Sequence, residues 1–180
     1  AVSDTERSAA MAAIQRDLSV GLAAAEDLNR GLELSLRAAV EASGMDAGGI
    51  YLADETTGDL ELVEHTGLSR AFVEASRRFP ADTPNAQLVA KGDAVYTTMA
   101  TFIASPDDPR APEGLKALAI IPIFHQRSVI GCVNLASHEL REVPDTARTQ
   151  LARRVLVERQ SQLLRRSFTH DRFPPAFCCA

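Results

Sequence analysis

Four histidines, three cysteines and one pair of adjacent aspartates are the side chains from which chemistry would start in this sequence. Their spacing does not favour a metal. His65, His125, His138 and His170 fall in separate stretches with no common interval, whereas a metal centre needs ligands that converge. Cys132 stands alone in an apolar run, and Cys178 and Cys179 are neighbours near the end. That is neither a disulfide framework nor a ligand pattern. The order Phe177-Cys178-Cys179-Ala180 also fits no prenyl-acceptor box, whose cysteine would stand at position 177. Asp107-Asp108 lies among prolines and reads as a solvated turn. No nucleophile has a base at a suggestive spacing. Two polar side chains inside apolar runs matter more, Tyr51 and Asn134. An amide within an otherwise apolar strand must find a partner, either neighbouring backbone or something bound.

The stretch that must position these groups is 117–137, ALAIIPIFHQRSVIGCVNLAS. Two apolar, β-rich runs flank the polar connection His125-Gln126-Arg127-Ser128, which predicts a hairpin. Leu118, Ile120 and Pro122 alternate with Ala119, Ile121 and Ile123, so the first arm is apolar on both faces. Such a strand needs a layer above and a layer below. Residues 5–43 read as helix with a weak point at Gly21. Met11, Ile14, Leu18, Ala25, Leu28, Leu32 and Ala39 follow a three-four spacing, and Ser43-Gly44 ends the run. Ala47 to Ala53 and Leu60 to His65 are strands about the turn 54–59. Ser69 caps a helix expected to reach Phe79, and Thr83-Pro84 opens a second through Ala90. Ala94 to Thr97 is a short strand. Residues 101–114, with Pro106, Pro109 and Pro112, read as a mobile loop of the kind that covers a site. A last helix runs from Val143-Pro144-Asp145 to about Phe168. Hairpins alternating with segregated helices predict an α+β fold with a central antiparallel sheet, terminal helices on one face, and short helices plus a lid loop on the other.

Composition narrows the classes. A hydrophobic content of 46% is ordinary for a globular protein. The longest apolar stretch, Ala117 to Phe124, falls far short of the roughly 20 residues that span a bilayer. Asp4, Glu6 and Arg7 near the start are unlike a secretory signal, so a cytoplasmic location is expected. The net charge of −5 conceals a basic stretch at 141–172, with arginines at 141, 148, 153, 154, 159, 165, 166 and 172. These are spread along a helical period without interleaved aromatics, the pattern of a solvated helix face rather than a nucleic-acid surface.

The segments GGIYLADETTGDLELVEHTGL (48–68) and GLKALAIIPIFHQRSVIGCVNLASHE (114–139) resemble the GAF domain, a small-molecule sensor module of bacterial signalling proteins. The resemblance extends over about residues 27–166. It implies a central antiparallel sheet with a ligand pocket on the face away from the terminal helices. It also implies a place among other signalling domains, with residues 1–26 as a helical extension, 27–168 as the sensor domain and 169–180 as a loose tail. The apolar stripe of the first helix suits a homodimer formed through the terminal helices. By this resemblance the pocket face carries Tyr51, Leu118, Ile120, Cys132 and Asn134, together with Gly49, Pro122 and Ala136. No cofactor is identified.

Enzymatic alternatives start from the same residues. Ser137-His138-Glu139-Leu140-Arg141 resembles the phosphoacceptor box of sensor histidine kinases, which would make His138 a phosphoacceptor. That chemistry needs an exposed histidine on a helix, and here a strand ends while Glu142-Val143-Pro144 interrupts any helix that follows. Free methionine sulfoxide reductases share the fold, yet the expected lid carries no cysteine and Cys132 has no resolving partner nearby. The cysteine of bilin-binding relatives and the cyclic-nucleotide signature of phosphodiesterase relatives are not visible. The expectation is a non-catalytic module that senses a small molecule or serves as a dimerising element.

Overall fold

The protein is described here by a computed structural model covering residues 28–103, 105–125 and 127–152. Helix α1 (Leu28–Ser43) leads into β1 (Ala47–Ala53) and β2 (Leu60–Thr66), then helix α2 (Arg70–Ala75) and the two-residue strand β3 (Arg78–Phe79). Helix α3 (Pro84–Ala90), strand β4 (Val95–Thr98), the long hairpin β5 (Ala117–His125) and β6 (Ser128–Ser137), and helix α4 (Asp145–Ala152) complete the order. The six strands form one sheet in the order β3-β2-β1-β6-β5-β4, and every neighbouring pair is antiparallel. The architecture is the expected α+β one.

The sheet separates two apolar layers. On one side, Leu32, Leu36 and Ala39 of α1 and Ala147 of α4 pack on Ile50, Leu52, Ala119, Ile121, Ile123 and Leu135. On the other, Phe72 of α2 and Ala86 and Val89 of α3 lie over Tyr51, Leu118, Ile120, Cys132 and Ala136. Strand β5 is buried along its length from Ala117 to Ile123, as a strand apolar on both faces must be. The apolar face of α1 is wider than the three-four stripe read from the sequence. Leu36, outside that stripe, is its most enclosed side chain, because a helix lying on a sheet buries a broad face rather than a coiled-coil seam. The earlier part of the expected helix (5–27), and the expected last helix beyond 152, fall outside the described residues.

One expectation needs correction. The helix opened by Ser69 does not reach Phe79. It stops at Ala75, and Arg78–Phe79 pair with Leu60 and Glu61 as an edge strand. Tertiary hydrogen bonds capture this backbone. The Tyr51 hydroxyl donates to the Ser76 carbonyl at 3.0 Å, and the Leu62 N–H donates to the Arg77 carbonyl at 2.9 Å. Asp59 accepts from Arg78 Nε at 3.0 Å and from the Ala81 N–H at 2.8 Å, pinning the exit of the new strand. The loop 101–114 is anchored by apolar side chains within it and at its two ends. Met99 is buried, Phe102 and Ile103 pack on the cavity-side core, and Leu115 closes the segment. Short 3-10 turns at Met99–Thr101 and Ala111–Glu113 shape it.

The backbones of β1 and β6 approach closely at Gly131. The pairing slips between Ile123 and Phe124, leaving a bulge beside this residue. With φ at +157°, a Cβ there would sit 2.1 Å from the Tyr51 carbonyl oxygen, so only glycine fits. In the helix-side core, Leu36 is 1% exposed. Leu36→Ala should cost about 2–5 kcal/mol in urea denaturation. Arg37→Ala, on the exposed side of the same turn, should stay within about 0.5 kcal/mol.

Candidate functional site

Between the sheet and the layer formed by α2, α3 and the 99–115 segment lies a cavity of about 60 Å³. Strand pairing places its floor. Gly49, Asn134 and Ile120 stand abreast across β1, β6 and β5, and Tyr51 stands beside Cys132 one step along. Since side chains alternate along each strand, these rows face the same way. All five residues singled out from the sequence, Tyr51, Leu118, Ile120, Cys132 and Asn134, line this cavity, with Gly49 and Ala136. Pro122 is opposite Cys132 in register but is not part of the wall.

Each polar group there has a definite state. The Tyr51 ring is tilted against Phe79 at 5.5 Å, and its hydroxyl is held by Ser76. Burial pushes the Tyr51 phenol up to about 12 and the Cys132 thiol likewise to about 12, so both keep their protons at neutral pH. A buried neutral thiol is a poor nucleophile. Asn134 Oδ1 is buried and, among the described residues, accepts no hydrogen bond. The backbone partner considered for this amide oxygen is not what the structure provides.

Sequence reasoning missed Arg110 and Asn85, which also line the cavity. Arg110 lies in the proline-rich loop, where no periodicity marks an inward side chain. It is held by Asp108, with Nε donating at 2.9 Å and Nη2 at 2.7 Å, while Nη2 also donates to the Phe102 carbonyl at 2.8 Å. Asp108, read as part of a solvated turn, is thus an internal peg, whereas Asp107 is exposed. The side-chain hydrogen bonds from Arg110 hold the Asp108 carboxyl down to about 2.

His138 belongs to a separate polar corner at the end of β6. Its Nδ1 is 2.6 Å from Asp46 Oδ1 and its Nε2 is 3.5 Å from Glu113 Oε1. Glu113 in turn accepts from the Ser69 N–H at 2.9 Å and from the Ser69 hydroxyl, tying the loop to the start of α2. Burial raises the Glu113 carboxyl, but the hydrogen bonds from Ser69 together with His138 outweigh it and leave it below the usual range. His138 follows a strand and lies on no helix, so it lacks the setting that a phosphoacceptor requires. Among the described residues no group of three or more His, Cys, Asp or Glu side chains is arranged to hold a metal ion.

A family model of the GAF domain matches residues 25–155. The chain belongs to the GAF domain family. Solved structures share the fold at low sequence identity. The GAF domain of a phosphoenolpyruvate-protein phosphotransferase from Coxiella burnetii matches with a TM-score of 0.70 at 18% identity, over 88% of this chain and 95% of that one. A free methionine-R-sulfoxide reductase from Neisseria meningitidis, solved with its substrate, matches with a TM-score of 0.66 at 22% identity, over 93% and 96%. A domain of a two-component sensor histidine kinase from Sinorhizobium meliloti matches with a TM-score of 0.57 at 19% identity, over 73% and 86%. No curated protein matches the sequence. These likenesses concern the fold of the GAF domain; identity this low carries no activity across.

The Asp108–Arg110 pair of this GAF domain gives an acid signature. The folded carboxyl titrates at about 2, below the roughly 3.9 of an unfolded aspartate. Its stabilisation is therefore complete above about pH 4 and is lost as pH falls toward 2. Arg110→Leu should flatten the decline of the urea midpoint across that window relative to wild type. Equal slopes would show that the pair contributes nothing.

Proposed function

We propose that this GAF domain is a non-catalytic regulatory module that senses a small molecule within a larger bacterial signalling chain. The observation that carries the reading is the cavity itself, largely apolar, with the orphaned amide oxygen of Asn134 on its floor. Sites for small molecules have this form, with an apolar wall and a few fixed polar groups. The signalling context draws support from relatives of the same fold, among them the sensor histidine kinase domain and a phycocyanobilin-bound GAF domain of a cyanobacterial phytochrome. A thiol mechanism like that of a reductase gains nothing from Cys132, whose burial keeps it protonated. We place the sensor at 27–168, a helical extension at 1–26 and a loose tail at 169–180, in a cytoplasmic protein. Among the described residues no helix is long and apolar enough to cross a membrane.

The ligand test is direct. Small molecules released on denaturing natively purified protein are identified by mass spectrometry and added back. A cognate one should raise the melting temperature with log concentration once saturating, and slow hydrogen exchange in 101–114. Tyr51→Phe and Asn134→Ala should weaken the shift without unfolding the domain. The sensor reading fails if nothing is released and no added metabolite shifts the melting curve.

The stripe Met11, Ile14, Leu18 and Ala25 supports a homodimer, because an apolar face on a helical extension is normally covered by a partner. Ile14→Glu combined with Leu18→Glu should give monomers by analytical ultracentrifugation with an unchanged sheet signal in circular dichroism. A wild-type protein that is monomeric at tens of micromolar would refute the dimer.

A further inference from the structure

The electrostatics of the cavity restrict what it can hold, a deduction that rests on the small-molecule reading above. Asn134 Oδ1 is buried without a partner among the described residues. A carbonyl oxygen in that position loses its hydration and receives nothing in return, so a donor brought to it gains more than one brought to an exposed oxygen. Gly49, directly across the strand pair from Asn134, presents no side chain that could supply such a donor.

The charge near the wall is already matched. Arg110 lies against Asp108 with both side chains mostly enclosed, at 15% and 13% exposure. Two parallel hydrogen bonds engage the fork of the guanidinium, and a third goes to the Phe102 carbonyl. Tyr51 and Cys132 are neutral. An anion or cation entering here would leave water without meeting a counter-charge that is not already in use. In the remaining wall Asn85 and Ser76 carry uncharged polar groups, while Leu60, Phe72, Val89, Leu118 and Ile120 offer apolar contact.

We propose that the cavity takes a small uncharged molecule with an apolar body and an N–H or O–H group that donates to Asn134 Oδ1. Its occupant is then selected by a donor rather than by charge, and the aliphatic and aromatic wall accepts the rest of the molecule. A cavity of about 60 Å³ is smaller than the roughly 150 Å³ that receives benzene in an engineered core, which keeps the occupant small.

Pyrrole and furan make the test, since they are five-membered rings of nearly equal size and only pyrrole carries a donor. Furan is the less water-soluble of the two, so apolar burial alone would favour it. Each is titrated into the full chain and followed by the shifts of amide resonances around the cavity, with acetate as the charged probe. Pyrrole should bind about tenfold more tightly than furan, the worth of one hydrogen bond to a buried acceptor. Acetate should neither bind nor displace it. In Asn134→Leu, checked for folding by circular dichroism, the preference for pyrrole should vanish. Equal affinities, tighter furan, displacement of pyrrole by acetate, or a preference that survives in Asn134→Leu would overturn the inference while leaving a sensor pocket in place. If no probe moves the cavity resonances, the inference fails, and the sensor reading is decided separately by the release and melting experiment. The wild-type comparison decides the matter even if the leucine variant does not fold.

Discussion

The antiparallel pairing of β1, β6 and β5 is the constraint on which the other parts of the molecule depend. Gly49 opposite Asn134 and Asn134 opposite Ile120 form one row, and Ile50 opposite Val133 and Val133 opposite Ile121 form the next. Because alternate residues face opposite ways, this register sends Tyr51, Cys132, Asn134 and Ile120 to the cavity and Ile50, Leu135 and Ile121 to the terminal helices. A slip of one residue would exchange the two sets and bring the asparagine under α1. Gly131 helps to prevent it, since β1 passes so close at the bulge that no other residue could stand there.

The two layers on this sheet are held by different means. Against α1 and α4 the contact is almost wholly apolar, with Leu36 and Leu135 at its centre. On the cavity side, helices of six and seven residues bury too little to hold themselves, and polar ties supplement their packing. Ser69 and Thr83 cap α2 and α3. Glu113 joins Ser69 to the loop, Asp59 holds Arg78, and Asp108 holds Arg110. These ties are mostly at the margins of the layer, so the space between it and the strands is lined mainly by apolar side chains, with the amide of Asn134 on its floor and Asn85 and Arg110 in its wall.

That division suits a module that responds to what it binds. Tyr51 and Asn134 face the cavity from strands whose next residues, Ile50 and Leu135, support α1. A shift of the floor therefore acts on backbone shared with the helix-bearing face. The polar ties around the loop can be exchanged for water without opening the main core, because the helix-side layer shares none of them.

Much of this was legible in the sequence because it follows from local periodicity. The two-sided apolar run Ala117 to Ile123 made β5 a central strand, and the polar connection after it made the hairpin. Alternation grouped Leu118 with Ile120 and Cys132 with Asn134 within their strands, and the GAF resemblance put them on a pocket face with Tyr51. Ser69 and Thr83 announced their helices as caps. Contacts between distant segments carried no such mark. The chain from Ser76 to Phe79 has helical propensity, but the Tyr51 hydroxyl and the edge of β2 take its backbone and make it a strand. Arg110 and Asp108 looked solvated because charge and proline are what a surface loop shows, and only the fold brings the guanidinium to the cavity wall. Whether Asn134 would be satisfied by neighbouring backbone was likewise open. The sequence determined that its amide shares a face with Cys132 and Ala136, since that depends on a period of two. Tertiary packing decided that no described residue donates to the oxygen, since that depends on every segment arriving there at once.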